Sequence, residues 1–67
     1  MSEEMATIKF RDQRWQVKSG MTVRDAILKV GLDPLNVLAI REKRLINHQT
    51  LLEPNDEIRL VNVISGG

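Results

Sequence analysis

The sequence has 67 residues, of which 42% are hydrophobic and 28% are charged, and its formal net charge at pH 7 is +1. A chain of this length is expected to form one domain that buries only about 60% of its unfolded surface, which leaves little room for a deep catalytic cleft. The absence of cysteine excludes a disulfide, a thiolate nucleophile and a zinc–sulfur site. The mixed charges lack the dominant basic stripe of a nucleic-acid-binding protein.

The beginning of the chain, Met1-Ser2-Glu3-Glu4, is acidic and lacks the apolar segment of a signal peptide. No apolar run approaches the ~20 residues that a membrane helix needs. We therefore expect a cytoplasmic protein with neither a membrane nor a direct nucleic-acid partner. Residues 1–5 are predicted to be a disordered N-terminal tail, and residues 6–64 a single domain.

The first two segments of this domain alternate apolar with polar side chains, over residues 6–11 and 14–18. This alternation is typical of half-buried strands. Because only Asp12-Gln13 separates the two segments, the sequence predicts an antiparallel hairpin with a two-residue turn. Trp15, on the second strand, is expected to pack at least partly into the core.

The periodicity then changes to that of a helix. Thr22, followed three residues later by Asp25, resembles a capping box in which Asp replaces the usual Glu. Gly31 is expected to end the helix, because glycine readily adopts the left-handed backbone conformation that follows many helices. The apolar stripe between these two signals consists of Val23, Ala26, Ile27 and Val30.

Two or three further strands follow the helix. Residues 37–40 predict one strand, residues 45–46 a brief one, and residues 57–64 the last one. The intervening residues 47–55 are polar and turn-rich. A single helix can cover only one face of such a sheet, so the element order predicts an α+β fold.

The last strand is predicted to place different residues on its two faces. Ile58 and Leu60 are expected to point into the core. Arg59 shares the opposite face with two valines, which would form a modest exposed apolar patch suited to a partner protein. The predicted partner-binding residues are Arg59, Val61, Val63 and Ile64. The alternative is that the valines are there only because they favour strands.

The sequence ends in Ser65-Gly66-Gly67, directly after this strand. Glycine has no Cβ, so a Gly-Gly tail can lie extended in a passage too narrow for other residues. Residues 65–67 are therefore predicted to be a flexible tail that presents the Gly67 carboxylate to another protein. Glycine is also common at frayed termini and in cloning scars, which gives the alternative interpretation.

The remaining polar and charged residues give weaker indications of a functional site. His48 is the single histidine and lies in a predicted loop, where it is expected to be solvated. The basic residues Arg41, Lys43 and Arg44 are expected to form a solvated turn, with contact to acidic residues of a partner as the alternative. No nucleophile–base pair, metal-ligand spacing or phosphate-binding glycine loop is present.

Three stretches together carry a resemblance to a known family: residues 22–27 at the helix start, residues 51–58 before the last strand, and residues 61–67 at the end. In this order and at this length, the chain resembles the ubiquitin-like β-grasp sulfur carriers. These include the thiamine-pathway carrier ThiS, the small subunit of molybdopterin synthase and the tRNA-thiolation carriers. The resemblance implies a four- to five-stranded mixed sheet packed on one main helix.

The details of the resemblance favour some branches over others. The ending Ile64-Ser65-Gly66-Gly67 is similar to the thiamine and tRNA-thiolation branches, whereas Asn62-Val63-Ile64 is not the Pro-Pro-Val-like approach of molybdopterin-type carriers. Thiamine carriers often have an Asn-Gly turn after the third strand, where this chain has Glu42-Lys43. This departure leaves the pathway open.

The resemblance also implies the chemistry. A partner adenylyltransferase would use ATP to activate the Gly67 carboxylate, and a sulfur donor would convert the adenylate into a thiocarboxylate. Ser65 and Gly66 would thread the partner's active site, and the sulfur would pass to a synthase or thiolase in thiamine (thiazole) or tRNA thiolation. The chain itself would supply no catalytic residue, bound cofactor or metal.

Two other functions share parts of this prediction. A ubiquitin-like protein modifier would use the same activation step and then join Gly67 to lysines of target proteins. A non-covalent β-grasp binding module would have an incidental Gly-Gly ending.

Overall fold

The computed structural model describes residues 4–63. Over this range the chain forms five strands, one α-helix and one short 3-10 helix. In chain order the elements are β1 (Met5–Phe10), β2 (Gln13–Lys18), α1 (Val23–Lys29), the 3-10 helix (Pro34–Asn36), β3 (Val37–Arg41), β4 (Arg44–Ile46) and β5 (Glu57–Asn62).

The five strands form one mixed sheet in the order β2-β1-β5-β3-β4. The last strand, β5, lies in the centre, where it pairs parallel with β1 and antiparallel with β3. The hairpins β1–β2 and β3–β4 form the two sides of the sheet. This arrangement confirms the predicted α+β fold with a mixed sheet and one main helix.

The first strand begins one residue earlier than predicted. Met5 pairs with Lys18 of β2, and its carbonyl oxygen accepts a hydrogen bond of 2.8 Å from the backbone N–H of Asn55. Placing Met5 in a disordered tail was therefore wrong, because its backbone is paired on both sides. Residues 1–3, the rest of that predicted tail, lie outside the described residues.

The predicted hairpin is confirmed, but its turn is displaced by one residue. The turn consists of Arg11-Asp12 rather than Asp12-Gln13, since Phe10 pairs directly with Gln13. Arg11 has φ of 57°, and a positive φ at the first turn residue alone is the pattern of a type II′ turn. Glycine normally occupies this position, which is why the sequence gives no clear signal for the turn.

The helix ends follow the sequence signals. The Thr22 hydroxyl oxygen accepts the N–H of Asp25 at 3.1 Å, as an N-cap residue does. At the other end Gly31 has φ of 89°, and its N–H donates to the carbonyl of Leu28 at 3.0 Å. The Leu32 N–H donates to the Ile27 carbonyl at 3.0 Å, which completes a Schellman motif.

The loop before β5 supports the helix start. The first helical N–H groups, those of Val23 and Arg24, donate to the carbonyls of Thr50 and His48, each at 2.9 Å. These donors have no partner inside a helix, so the loop satisfies them. The loop position predicted for His48 is confirmed, and its backbone carbonyl contributes to holding the helix.

The core lies between the helix and one face of the sheet. Each large apolar side chain buried there contributes about 1.5–3 kcal/mol relative to an exposed one. Trp15 is half-buried and packs against this core, as expected. The buried residues are Ala6, Ile8, Val17, Val23, Ala26, Ile27, Val37, Ala39, Leu52, Ile58 and Leu60.

The edge of the core contains an ion pair that the sequence did not indicate. The guanidinium Nη1 of Arg41 lies 2.9 Å from Oδ2 of Asp56, and both side chains are largely covered. The same oxygen accepts the backbone N–H of Glu53 at 2.8 Å. Assigning Arg41 to a solvated turn was therefore wrong, because it is the last residue of β3 and closes the covered face beside the start of β5.

Candidate functional site

The candidate site lies where β5 leaves the sheet. The strand ends at Asn62 rather than at Ile64, and the Val63 N–H donates to the carbonyl of Asn36 at 2.8 Å. This bond fixes the last described residue against the 3-10 helix. The end of β5 and the contact with Asn36 therefore set the position of Val63.

The predicted faces of β5 are confirmed. Ile58 and Leu60 are buried under the helix, whereas Arg59 is exposed on the opposite face. On that same face Val61 is half-buried, and Val63, which follows the end of the strand, is 40% exposed. The sheet therefore places two of the four residues predicted to bind a partner, Arg59 and Val61, on one face, and a third, Val63, follows directly after the strand.

An apolar patch surrounds the point where the chain leaves the sheet. Leu38 of β3 lies directly opposite Val61 and is 39% exposed. We call Leu38, Val61 and Val63 the tail-root patch. Leu38 was missed in the sequence because residues 37–40 are apolar throughout, so periodicity does not distinguish the two faces of that strand.

The remaining predictions for the site concern residues 64–67, at the end of the chain. Ile64, Ser65, Gly66 and Gly67 lie outside the described residues, so the partner-binding role of Ile64, the threading role of Ser65 and Gly66, and the attachment point at Gly67 remain predictions.

Basic residues of the β1–β2 hairpin adjoin the same face and were also missed. Lys9 of β1 lies between Arg14 of β2 and Arg59 of β5. This row depends on the parallel pairing of β1 with β5, two segments far apart in sequence, so local patterns could not indicate it. A groove of about 800 Å³ runs along it and continues to Ile40 and Val61.

One carboxylate faces this basic row. Glu57 forms an exposed ion pair with Lys9. The hydrogen bond from Lys9 and then its charge lower the pKa of Glu57 below its usual 4.5, and Arg14 adds a smaller effect of the same sign. The ionised form of Glu57 is therefore stabilised mainly by its contact with Lys9.

The turn between β3 and β4 forms part of the groove rim. Glu42 and Lys43 have φ of 53° and 67°, the pattern of a type I′ turn, which normally contains Asn-Gly. Lys43 and Arg44 are exposed, as expected for a solvated turn. Their neighbour Arg41 is held by Asp56 and does not belong to this exposed group.

Within residues 4–63, no group of three or more histidine and carboxylate side chains is placed to hold a metal ion. Over the same residues, no helix is long and apolar enough to cross a membrane. What the described part of the site offers is an apolar patch, a basic groove and the departure point of the chain.

A mixed five-stranded sheet packed on one helix, with the last strand in its centre, defines a ubiquitin-like β-grasp protein. A comparison with protein-family models identifies the group within this class: residues 2–67 match the ThiS family. The chain therefore belongs to the ThiS family. Its general role is that of a small sulfur carrier rather than an enzyme, and this role requires an activating enzyme as partner. None of the curated proteins matches the chain significantly.

Proposed function

We propose that the chain carries sulfur as a thiocarboxylate on Gly67, in a pathway that thiolates tRNA or builds the thiazole of thiamine. The observation that carries this proposal is the ThiS family match, which spans residues 2–67 and so includes Gly66 and Gly67. The central position of β5 supports it, since a strand paired on both sides gives the tail a rigid base.

The proposed chemistry takes place at one atom group. A carboxylate oxygen of Gly67 attacks the α-phosphorus of ATP bound to the partner adenylyltransferase, and pyrophosphate leaves. Hydrosulfide from a sulfur donor then attacks the carbonyl carbon of the acyl adenylate, the bond from that carbon to the AMP oxygen breaks, and AMP and a proton leave. The product is a thiocarboxylate whose sulfur is a nucleophile toward the acceptor. ATP is a substrate of the partner, and the carrier supplies only the reacting group.

We further propose that the adenylyltransferase holds the carrier at the tail-root patch, with Arg59 at its edge. Exposed apolar side chains next to a charged residue are typical of protein-binding surfaces. The tail itself would contribute through Ile64, Ser65 and Gly66. Contacts near the tail root would orient the carboxylate before the chemistry begins.

The test is an intact-mass measurement. The intact mass of the protein is measured first, to establish that its mature chain ends at Gly67. It is then incubated with the cognate adenylyltransferase, ATP and sodium sulfide, and we expect a mass increase equal to the exchange of one oxygen for sulfur. Omission of ATP should abolish it.

Two variants separate the tail from the fold. Deletion of Gly67 should abolish the mass change while the amide NMR spectrum of the domain stays unchanged. Val63→Glu should slow thiocarboxylate formation. The matched control is Leu28→Glu, at a residue of the helix that is 49% exposed, and it should leave the rate unchanged. A folded carrier whose mass never changes with the active partner would refute the proposal. Species of higher mass that are joined to lysines would instead indicate a protein modifier.

A further inference from the structure

The basic row across the open face of the sheet is not explained by the tail chemistry. Arg14, Lys9 and Arg59 lie side by side on β2, β1 and β5. Neighbouring strands are about 4.8 Å apart, so three cationic side chains project from a strip about 10 Å wide. Like charges directly opposite each other destabilise a sheet, which makes this row unfavourable unless anions neutralise it.

The protein neutralises only the middle of the row. Over residues 4–63 the ion pairs are Lys9–Glu57 and Arg41–Asp56. Neither includes Arg14 or Arg59, and both of these side chains are exposed. Arg14 and Arg59 therefore flank one neutralised lysine and have positive charge available for a ligand.

The groove beside the row combines this charge with an apolar wall. Ile40 of β3 lies directly opposite Arg59, and Val61 follows Arg59 on the same face of β5. Both apolar side chains line the groove. A ligand that fits it needs negative groups on one side and an apolar group on the other.

The two turns at the groove rim hold non-glycine residues in the left-handed backbone region. Arg11 does so in the β1–β2 turn, and Glu42 and Lys43 do so in the β3–β4 turn. Backbone strain of this kind is concentrated at functional positions. Arg11 and Lys43 therefore contribute charged side chains to the groove lining at two positions where glycine is the usual residue.

We propose that this groove binds an acidic, amphipathic peptide segment of a partner protein. Carboxylates of the segment would pair with Arg14 and Arg59, and an apolar side chain between them would contact Ile40 and Val61. A nucleic acid fits less well, because the groove lining has the apolar side chains of Ile40 and Val61 but no aromatic side chain on which a base could stack. The lining also includes three carboxylates, which its five basic side chains outnumber; they belong to Asp12, Glu42 and Glu57.

This inference deepens the proposed function and rests on it for the identity of the partner, which we take to be the adenylyltransferase. The basic groove and the tail-root patch share Val61, so one protein can cover both surfaces while it receives the tail. The binding test below needs neither ATP nor sulfide. Its failure is therefore distinguishable from a failure of thiocarboxylate formation.

The experiment is an NMR titration of the ¹⁵N-labelled full chain. The probe is a short, end-capped peptide in which glutamate alternates with leucine, and the control is the same peptide with glutamine in place of glutamate. We expect the acidic peptide to shift the amides of Lys9, Arg14, Arg59 and Val61, and the control to bind about tenfold more weakly or not at all. Added salt should weaken the binding.

A pair of double variants with equal charge change locates the site. Arg14→Glu with Arg59→Glu should weaken peptide binding about tenfold or more. Arg24→Glu with Lys29→Glu, on the exposed side of the helix, should change it by less than about twofold. If the first variant does not fold, Arg14→Gln with Arg59→Gln replaces it, and the amide spectrum of each variant reports folding.

Four results would overturn the proposal. The first is the absence of groove shifts at millimolar peptide, and the second is equal weakening of peptide binding by both double variants. The third is stronger binding of oligothymidylate than of the acidic peptide, which would assign the groove to nucleic acid. The fourth is movement of the groove amides with protein concentration alone, which would assign the groove to a second copy of this chain.

Discussion

The two faces of the sheet are made by the same strands, but neighbouring residues on those strands have different roles. On β5, Ile58 is 0% exposed beneath the helix, whereas Arg59 is exposed on the open face. Among residues 4–63 each face also has one ion pair, Arg41–Asp56 on the covered side and Lys9–Glu57 on the open side. The comparison indicates that alternation along a strand separates stability from recognition in a domain too small to have separate regions for each.

The sharpest test of this separation compares adjacent residues of β5. Ile58→Ala should lower the free energy of unfolding by about 3 kcal/mol, because it removes a buried side chain and leaves a cavity. Arg59→Ala should change it by less than about 0.5 kcal/mol, as exposed substitutions usually do. Urea unfolding followed by the fluorescence of Trp15 measures both.

Ile58→Val removes less of the buried side chain and serves as a control of intermediate size. It should lower the free energy of unfolding by about 1 kcal/mol. Similar losses for Ile58→Ala and Arg59→Ala would show that the open face also carries the stability of the fold, and the contrast between the faces would be lost.

The two ion pairs give the next comparison. The side chains of Arg41 and Asp56 are 28% and 15% exposed, against 38% and 60% for Lys9 and Glu57. Asp56→Ala should lower the free energy of unfolding by about 2 kcal/mol, because it leaves the Arg41 guanidinium and the Glu53 N–H without their acceptor. Glu57→Gln should cost far less, since water replaces the lost contact.

Asp56→Asn keeps one oxygen acceptor and should therefore lie between Asp56→Ala and the wild type in urea unfolding. A larger loss for Glu57→Gln than for Asp56→Ala would contradict the assignment of stability to the covered face.

The β3–β4 turn gives a third test, in which the substitutions are expected to raise the free energy of unfolding. Glu42→Asn with Lys43→Gly should stabilise the fold by about 1 kcal/mol, because both residues have positive φ and Asn-Gly relieves that strain. The same urea measurement applies, with Arg24→Gly in the helix as control. That glycine should destabilise by about 1 kcal/mol. Destabilisation by the turn variant would show that the turn is not strained.

Much of the covered face could be predicted from the sequence, because its signals are local. The helix could be located from Thr22 and Gly31, whose side-chain oxygen and missing Cβ act within a few residues. The alternation of apolar and polar residues on β5 also predicts that Ile58 and Arg59 lie on opposite faces, and this prediction needs no information on strand pairing. These elements follow from contacts that lie close together in the chain.

The candidate site could be predicted only in part, because it depends on distant pairings. The row of Arg14, Lys9 and Arg59 exists only because β1 pairs with β5, and no local pattern specifies that register. The Arg41–Asp56 pair likewise joins residues on either side of β4 and a long loop. The tail predicted over residues 65–67 lies outside the described residues and remains a prediction.

The smallest expected effect concerns the pH dependence of the open face. The hydrogen bond and charge of Lys9 hold the pKa of Glu57 below 4.5 in the folded state. A carboxylate with a depressed pKa stabilises the fold above its unfolded pKa, and this contribution is lost as the pH falls through the folded value.

We expect a carbon-detected NMR titration to place the pKa of Glu57 below 4.5, and Lys9→Met to raise it. Arg14→Gln should raise it less than Lys9→Met does, because the charge of Arg14 is the weaker cause. If neither variant moves the pKa of Glu57, the open face lacks the positive potential that the groove requires.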